Sequence, residues 1–481
     1  MKEQRRIKAR VIPIVRKARR IDRARGKMSP DDILALQKSK LKALVKHAIE
    51  HSPMYRELYR GIDPDNFDLS ELPPISKSDI MSRFDDSLCV RDLTLEEVEE
   101  FVSDLSRVGE LYKGKYVISH TSGTTGKPGI FVIDEAGWLE GAALAAAKIG
   151  RLNLKWSTIL SLPFRPLYRF RFAAIIATRG HLASYIAYLA APGVRRLFVK
   201  MMVIDVLSPF DEIVEKLERF KPNFIHAYPT FLRRIAQMKI DGQLKLDPIL
   251  INVASEYFDP ATEALCQKAF PKTIIGEVYG TTECVPMARR CGDGRLHVIS
   301  EACIIEPVDE NDNPVGFGEP SHHILLTNLF NYTQPLIRYR VSDSVTVWQP
   351  DKCTCGSPLP VIEVIGRAND VLKLPKKGGG VVSIFPVQLY LGAYGIEEIE
   401  QFQVIHEKPE LVEVKLSCKQ GHDAAKLIAQ VESKLTEILS SLGADVVVKA
   451  ELAEVERDPQ TGKFRQFIER ANMDAKQTGG E

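Results

Sequence analysis

Apolar positions along the chain recur with two different periods. Between Pro30 and Arg60 they fall at helical spacing (Ile33, Leu34, Leu36, Leu41, Leu44, Val45, Ala48, Ile49), which predicts helices there. Lys115–Ser119 and Ile130–Ile133 are short apolar runs flanking a polar stretch, and they predict a β-hairpin with a long tip. Trp138–Ile149 reads as a further helix. Short apolar strands and helical patterns then alternate through Thr158–Leu162, Phe210–Phe220, Phe224–Ala227, Phe231–Met238, Leu250–Ala254 and Pro260–Ala269. That rhythm predicts a mixed α/β domain around a largely parallel sheet.

Near residue 300 the pattern turns β-rich. Ala302–Ile305, His323–Thr327 and Ser344–Trp348 are separated by Pro and Gly turns, and a β-rich subdomain is expected. After Gly366-Arg-Ala-Asn-Asp370 about 110 residues remain, near the size of a small domain. Strands are expected there at Glu400–Ile405, Val412–Ser417 and Asp445–Ala450, with a strong helix over Asp423–Ser441. The predicted organisation is a basic segment (1–27), a large ligand-binding domain (28–366) and a small α+β domain (367–481).

Composition narrows the picture only in places. A chain of 481 residues with 44% hydrophobic content can bury a large core. The net charge of +2 selects no partner, and no specific nucleic acid is predicted. Its distribution is uneven: Met1 to Lys27 holds twelve Lys or Arg against Glu3 and Asp22. The plainer reading of that segment is a solvated or loosely packed basic tail. With Ile7, Val11, Ile12, Ile14 and Val15 forming a partial apolar stripe, it could also touch an anionic membrane surface. No run approaches the length of a membrane span, and eight cysteines without a regular framework suit a reducing compartment. A soluble, cytoplasmic protein is expected.

The densest chemistry lies in His120-Thr-Ser-Gly-Thr-Thr-Gly-Lys-Pro-Gly129. Gly123 and Gly126 can take backbone angles closed to other residues, Ser122, Thr124 and Thr125 supply hydroxyl donors, and Lys127 supplies charge. These are the parts of a cradle for a nucleotide triphosphate. A Walker A loop needs four residues between its glycines and a hydroxyl residue after the lysine; here two intervene and Pro128 follows.

Val278-Tyr-Gly-Thr-Thr-Glu283 puts two hydroxyls and a carboxylate after an apolar strand, where Glu283 could hold Mg²⁺ beside phosphate. Asp343, ending Ile337-Arg-Tyr-Arg-Val-Ser-Asp343, could accept both ribose hydroxyls. Ala254-Ser255-Glu256-Tyr257 offers polar backbone and an aromatic face for a base. Arg367 places a cation near the domain junction, and Lys463 follows Thr-Gly near the C-terminus, suited to insertion into a closed site. Cys353 and Cys355, two apart, put both thiols on one side of an extended segment; with Cys291 and His297 they could ligate zinc, or the cysteines could be buried, inert thiols and His297 a surface histidine.

Taken in this order, the motifs resemble the adenylate-forming superfamily of acyl-CoA synthetases, peptide-synthetase adenylation domains and luciferases. His47-Ala-Ile-Glu-His-Ser-Pro-Met-Tyr-Arg56, Pro74-Ile-Ser-Lys-Ser-Asp79 and Cys353-Thr-Cys-Gly356 are most similar to the phenylacetate-CoA ligase and coenzyme F390 synthetase branch. The resemblance implies a phosphate loop from Thr121 to Lys127, adenine contacts at Ser255 and Glu256, and phosphate and Mg²⁺ contacts by Thr282 and Glu283. It further implies nucleotide contacts by Tyr279 and Arg367, ribose binding by Asp343, and a catalytic Lys463 bridging the acid and the α-phosphate. His226, Tyr228 and the Tyr279-Gly280 approach are expected at the pocket for a small carboxylic acid. ATP is the implied cofactor and CoA the implied co-substrate, with zinc held as in this branch; oligomeric state is not legible.

The activity so implied is acyl-adenylate formation followed by transfer to CoA. Nucleotidyl transfer to a hydroxylated cofactor is the alternative within catalysis, and a catalytically silent binding scaffold the alternative outside it. Three departures from the family pattern stand out: Asn369 at the hinge, Ser342 before Asp343 where Gly is more usual, and a longer loop at Lys376–Gly380.

Overall fold

The computed structural model describes residues 11–121, 128–147, 170–189, 199–367, 372–384, 389, 396, 398–418, 423–457 and 464–471. Its helices are α1 (Val11–Arg25), α2 (Pro30–His51), α3 (Pro53–Leu58), α4 (Lys77–Ser82), α5 (Phe84–Ser87), α6 (Leu95–Ser103), α7 (Glu135–Ala146), α8 (Ala183–Leu189), α9 (Phe210–Phe220), α10 (Pro229–Ile240), α11 (Pro260–Ala269) and α12 (Ala424–Ser441). Their starts follow local chemistry. Ser29 and Asp32 close a reciprocal capping box ahead of α2, with Pro30 in its first turn, and Ser76 with Asp79 does the same for α4.

The predicted hairpin is present as β1 (Tyr116–His120) and β2 (Ile130–Asp134), paired antiparallel from Tyr116↔Asp134 to His120↔Ile130. The central feature is a nine-stranded sheet. Its first half joins β3 (Phe170–Ile176), β4 (Val199–Asp205), β5 (Phe224–Ala227), β6 (Leu250–Val253) and β7 (Ile274–Thr281) in the order β4-β3-β5-β6-β7, all parallel. Helices α9, α10 and α11 bury their apolar sides on it, with Ile213, Leu217, Leu232, Ile235 and Cys266 meeting Ile225, Ile251 and Val253.

The sheet then changes sense. The strands β8 (Cys284–Arg290) and β9 (Leu296–Val298) continue it antiparallel from β7. The β-rich region splits between two sheets: β10 (Cys303–Val308), β11 (His323–Asn328) and β12 (Tyr339–Val341) form a sheet of their own, while β13 (Asp343–Trp348) and β14 (Val361–Arg367) extend the long sheet beyond β9. This corrects two expectations. The long sheet is only half parallel, and Ser344–Trp348 belongs to its antiparallel edge, because alternation along a strand fixes its two faces and not its neighbour.

Beyond Arg367 the described residues form a short ladder, β15 (Leu372–Pro375) with β16 (Val381–Ile384). A four-stranded sheet follows from β17 (Ile399–Lys408), β18 (Leu411–Cys418), β19 (Val447–Leu452) and β20 (Phe467–Glu469), ordered β19-β18-β17-β20. Leu427, Val431, Leu435 and Leu439, spaced four apart, form the buried stripe that α12 lays on Phe402, Val404, Val412 and Val414. The strand expected at Thr158–Leu162, residues 148–149 of the helix expected to end at Ile149, and Ile7 of the basic segment lie outside the described residues.

The basic segment departs most from its expected form. Residues 11–25 are a helix whose inward positions, Ala18 and Arg25, are buried, while Val15 of the proposed apolar stripe is exposed. The Arg25 guanidinium meets the Glu301 carboxylate at 2.7 Å and 3.1 Å, with both residues at most 5% exposed. Lys40 Nζ donates to the Glu301 carbonyl at 2.6 Å, and Lys17 pairs with Glu140 on α7. Residues 11–25 are therefore a docked helix and not a loose tail. Removing one partner of a buried ion pair strands the other charge, so Arg25→Ala should lower stability by about 3 kcal/mol. Denaturant unfolding should show that loss, and limited trypsin digestion should show new cuts within α1.

Candidate active site

Strand β7 lies where the sheet reverses sense, with parallel β6 on one side and antiparallel β8 on the other. Thr281 pairs with Cys284, so Thr282 and Glu283 are the two residues of a tight connection at the carboxyl end of β7. Tyr279 and Gly280 are strand residues. A side chain at Gly280 would come within 3.1 Å of the Cys284 carbonyl, so the close approach of β7 and β8 requires glycine there.

Two carboxylates face this end of the sheet. Asp343 accepts a hydrogen bond from the Tyr279 hydroxyl at 2.8 Å, and Arg367, its partner across β13 and β14, stands 3.4 Å away through Nε. Glu283 accepts from the Tyr339 hydroxyl at 3.2 Å, and its carbonyl accepts from Asn328 Nδ2 at 2.9 Å. Burial pushes the Glu283 carboxyl up; hydrogen bonds from its own amide and from the Thr281 and Tyr339 hydroxyls oppose the shift, and the Asp343 charge adds to it. Burial likewise drives the Tyr279 phenol well above its ordinary value, with Asp343 contributing, so Tyr279 stays a donor. A buried carboxylate held by neutral donors is suited to a cation, which makes Glu283 a fitting ligand for Mg²⁺.

Strand β2 reaches this pair through Phe131. Thr121 donates its amide to the Gly129 carbonyl at 2.9 Å, and the Gly129 amide donates to Thr121 Oγ1 at 2.9 Å, closing the base of the intervening loop. Phe131 meets Tyr339 edge-on with ring centroids 6.0 Å apart, so β2 contacts the phenol that donates to Glu283. The His120 amide donates to the His181 carbonyl at 3.0 Å, and His120 Nε2 accepts the His181 amide at 3.1 Å. Gly180 has φ +111°, and a Cβ there would lie 2.7 Å from His120 Nε2, so this brace also depends on glycine. Ser122, Gly123, Thr124, Thr125, Gly126, Lys127, Asn369 and Lys463 lie outside the described residues.

The remaining candidates have definite places. Ser255 sits at φ +75°, a conformation uncommon for a residue with a side chain. Both oxygens of Glu256 are engaged: Oε2 accepts from the Thr230 amide at 3.1 Å and hydroxyl at 2.7 Å, and Oε1 accepts from the Phe464 amide at 2.9 Å. His226 is buried on β5 with Nδ1 2.9 Å from Asn252 Nδ2, and burial pulls its pKa down to about 4, leaving a neutral ring. The Tyr228 hydroxyl accepts the Ala177 amide at 3.1 Å, tying the start of α10 to the end of β3. Tyr339, Asn328, Thr230, His181 and Gly180 were not singled out in the sequence. Only Tyr339 fell inside a stretch read for chemistry.

Apart from this centre, Cys291, His297, Cys353 and Cys355 bring their ligand atoms within 4.8 Å of one another. The Cys291 and Cys353 sulfurs are 3.6 Å apart, and Cys355 Sγ lies 3.4 Å from His297 Nε2. Tetrahedral zinc, with bonds of about 2.3 Å to sulfur and about 2.0 Å to nitrogen, sets such separations at about 3.8 Å and about 3.5 Å. His297 Nδ1 is 2.8 Å from the Leu359 carbonyl, the outer-shell bond that orients a ligating imidazole. The four residues fit a zinc ion.

No family model matches the chain. Among curated proteins, the phenylacetate-coenzyme A ligases of Thermus thermophilus and Escherichia coli are 23% and 25% identical to it over 391 and 397 residues, covering 78% of both chains in each case. Protein CapK of Staphylococcus aureus is 25% identical over 168 residues, 34% of this chain, and the match spans only 36% of CapK. Among solved structures, 2-hydroxyisobutyryl-CoA ligase in the postadenylation state with 2-HIB-AMP superposes with a TM-score of 0.67 at 16% identity, over 93% of this chain and 91% of that one. The chain has the fold of the adenylate-forming CoA ligases. An open conformation of the same 2-hydroxyisobutyryl-CoA ligase superposes with a TM-score of 0.53 at 16% identity, over 91% of each chain.

In this adenylate-forming fold β7 also carries a perturbed acid, Glu277, paired with Arg290. Burial pushes the Glu277 carboxyl up to about 7 from 4.5; Arg290, 3.3 Å away, opposes the rise and Glu263 adds to it. The folded chain therefore binds this proton more tightly than the unfolded one. The resulting stability is present below pH 4.5 and is lost as pH rises toward 7. Glu277→Gln should flatten that loss, read as the difference in thermal midpoint between pH 5 and pH 7.5 for the variant and the wild type.

Proposed function

We propose that this chain is an ATP-dependent ligase that activates a small carboxylic acid as its acyl-adenylate and passes the acyl group to CoA. One observation carries the reading: the Glu283–Tyr339 pair, which β2 touches through Phe131, and the Asp343–Tyr279–Arg367 group stand together at the carboxyl end of β7. That is the place where sheets of this kind bind nucleotides. The similarity to phenylacetate-coenzyme A ligases over most of the chain supports the same class of acid and acceptor.

In the first step an acid oxygen attacks the α-phosphorus of ATP, the bond to the β-phosphate oxygen breaks, and pyrophosphate leaves. In the second the CoA sulfur attacks the acyl carbon, its proton is lost, and AMP leaves. Both reactants of the first step are anionic, so positive charge must offset their repulsion. Lys127 and Lys463 are the chain's candidates for it, at the phosphates and at the attacking carboxylate respectively. Asp343 has the acceptor oxygens for the ribose hydroxyls, and Tyr279 and Arg367 fix its orientation. Glu283 and Thr282 are the residues that would hold magnesium, which would supply positive charge to the phosphates. Cys291, His297, Cys353 and Cys355 would hold a zinc ion that would join the β8–β9 region to the segment entering β14 and serve structure.

A screen of small carboxylic acids for ATP-dependent pyrophosphate release, with and without CoA, should identify substrates that yield AMP and a thioester. Lys463→Ala should lower adenylate formation by about 10²- to 10³-fold while leaving ATP binding within reach of wild type. Wild-type pyrophosphate release by that variant would remove Lys463 from the mechanism, and no release with any acid would remove the ligase assignment. Purified protein should contain one zinc per chain, and stripping it should lower the thermal midpoint without changing the catalytic residues. A content far below one would refute the zinc site.

A further inference from the structure

Arg457 and Phe464 pair as an isolated antiparallel bridge, so the six residues between them, Lys463 included, leave and re-enter the described chain at one point. That point is gripped from two directions. Within the C-terminal unit, Gln403 is fully buried on β17. Its Nε2 donates to the carbonyls of Arg465 at 2.7 Å and Glu456 at 3.1 Å, and its Oε1 accepts the Glu456 amide at 2.9 Å. One amide side chain thus ties together the strand before the bridge and the strand after it.

From the large unit the grip comes through Glu256. Its Oε1 accepts the Phe464 amide, and its Oε2 accepts from Thr230, whose hydroxyl lies 3.4 Å from Arg457 Nη1. The hydrogen bonds run in series, from Arg457 to Thr230 to Glu256, with Phe464 closing the circuit back to the bridge. The Arg457 guanidinium is largely withdrawn from solvent, feels the Glu256 charge, and stands 5.5 Å over the Phe464 ring. Tyr257, the next residue along, packs on the apolar core of the C-terminal unit. These contacts span more than two hundred residues of sequence and touch neither Glu283 nor Asp343 in the hydrogen bonds described.

We infer that Arg457, Thr230 and Glu256 form a latch that fixes the Arg457–Phe464 bridge, the two ends from which the Lys463 segment departs, against the large unit. This rests on the ligase reading above and assigns Arg457 and Thr230 as positioning residues for adenylation alone. With the latch closed, the Arg457–Phe464 bridge is held against the part of the large unit that carries Glu256. On this inference the first half-reaction depends on that contact and acyl transfer does not.

The test uses Arg457→Met and Thr230→Val in the full chain, with Arg457→Lys as the conservative control. Three readouts separate positioning from general damage: ATP–pyrophosphate exchange, thioester formation from supplied acyl-adenylate and CoA, and deuterium uptake by peptides covering 456–467 without ligand. Loss of a hydrogen bond to a charged group should lower exchange about tenfold in Arg457→Met and leave the thioester step within about twofold. Deuterium uptake at 464–467 should rise about tenfold in rate in both variants, and Arg457→Lys should restore part of both effects. Unchanged uptake in both variants overturns the latch, and so does equal loss of the two half-reactions. If the wild type performs neither half-reaction with any acid, the ligase reading fails and deuterium uptake alone decides the latch.

Discussion

The change of sense at β7 is the constraint from which the site follows. Its backbone bonds to parallel β6 on one flank and antiparallel β8 on the other, so it is fixed within the long sheet and only its carboxyl end can turn. The tight connection into β8 projects Glu283 there. The antiparallel strands then return Asp343 and Arg367 to the same end as register partners. A fully parallel sheet would have needed a helical crossover at this point, and the two carboxylates would have been carried apart.

Electrostatics around that end is set mainly by withdrawal from water. Glu283, Glu256 and Glu277 all have carboxyls pushed up by burial, and in each case hydrogen bonds or a nearby arginine only partly oppose the shift. Each of these acids therefore keeps its proton more readily than a free carboxyl, and a cation or a donating amide placed against it favours the charged form.

Much of this was legible in the sequence because it depends on local pattern. The four-residue spacing of Leu427, Val431, Leu435 and Leu439 announced α12, and the apolar runs flanking Thr121–Gly129 announced the β1–β2 hairpin. The Cys291, His297, Cys353, Cys355 cluster was legible because soft ligands attract notice wherever they stand. What stayed hidden depends on distant partners. Nothing near Arg25 points to Glu301, nothing near Thr230 points to Arg457, and the alternation in Ser344–Trp348 is the same whichever sheet takes the strand. Tyr339 looked like a strand aromatic until the fold set its hydroxyl against Glu283.

Strand β14 starts shortly after Cys355 and is bonded to β13 along its length, with His297 and Leu296 of β9 on its other side at the start. It behaves as a rail anchored at the sulfur cluster and ending at Arg367. The guanidinium beside Asp343 is thus positioned by the long sheet and not by the unit that follows it.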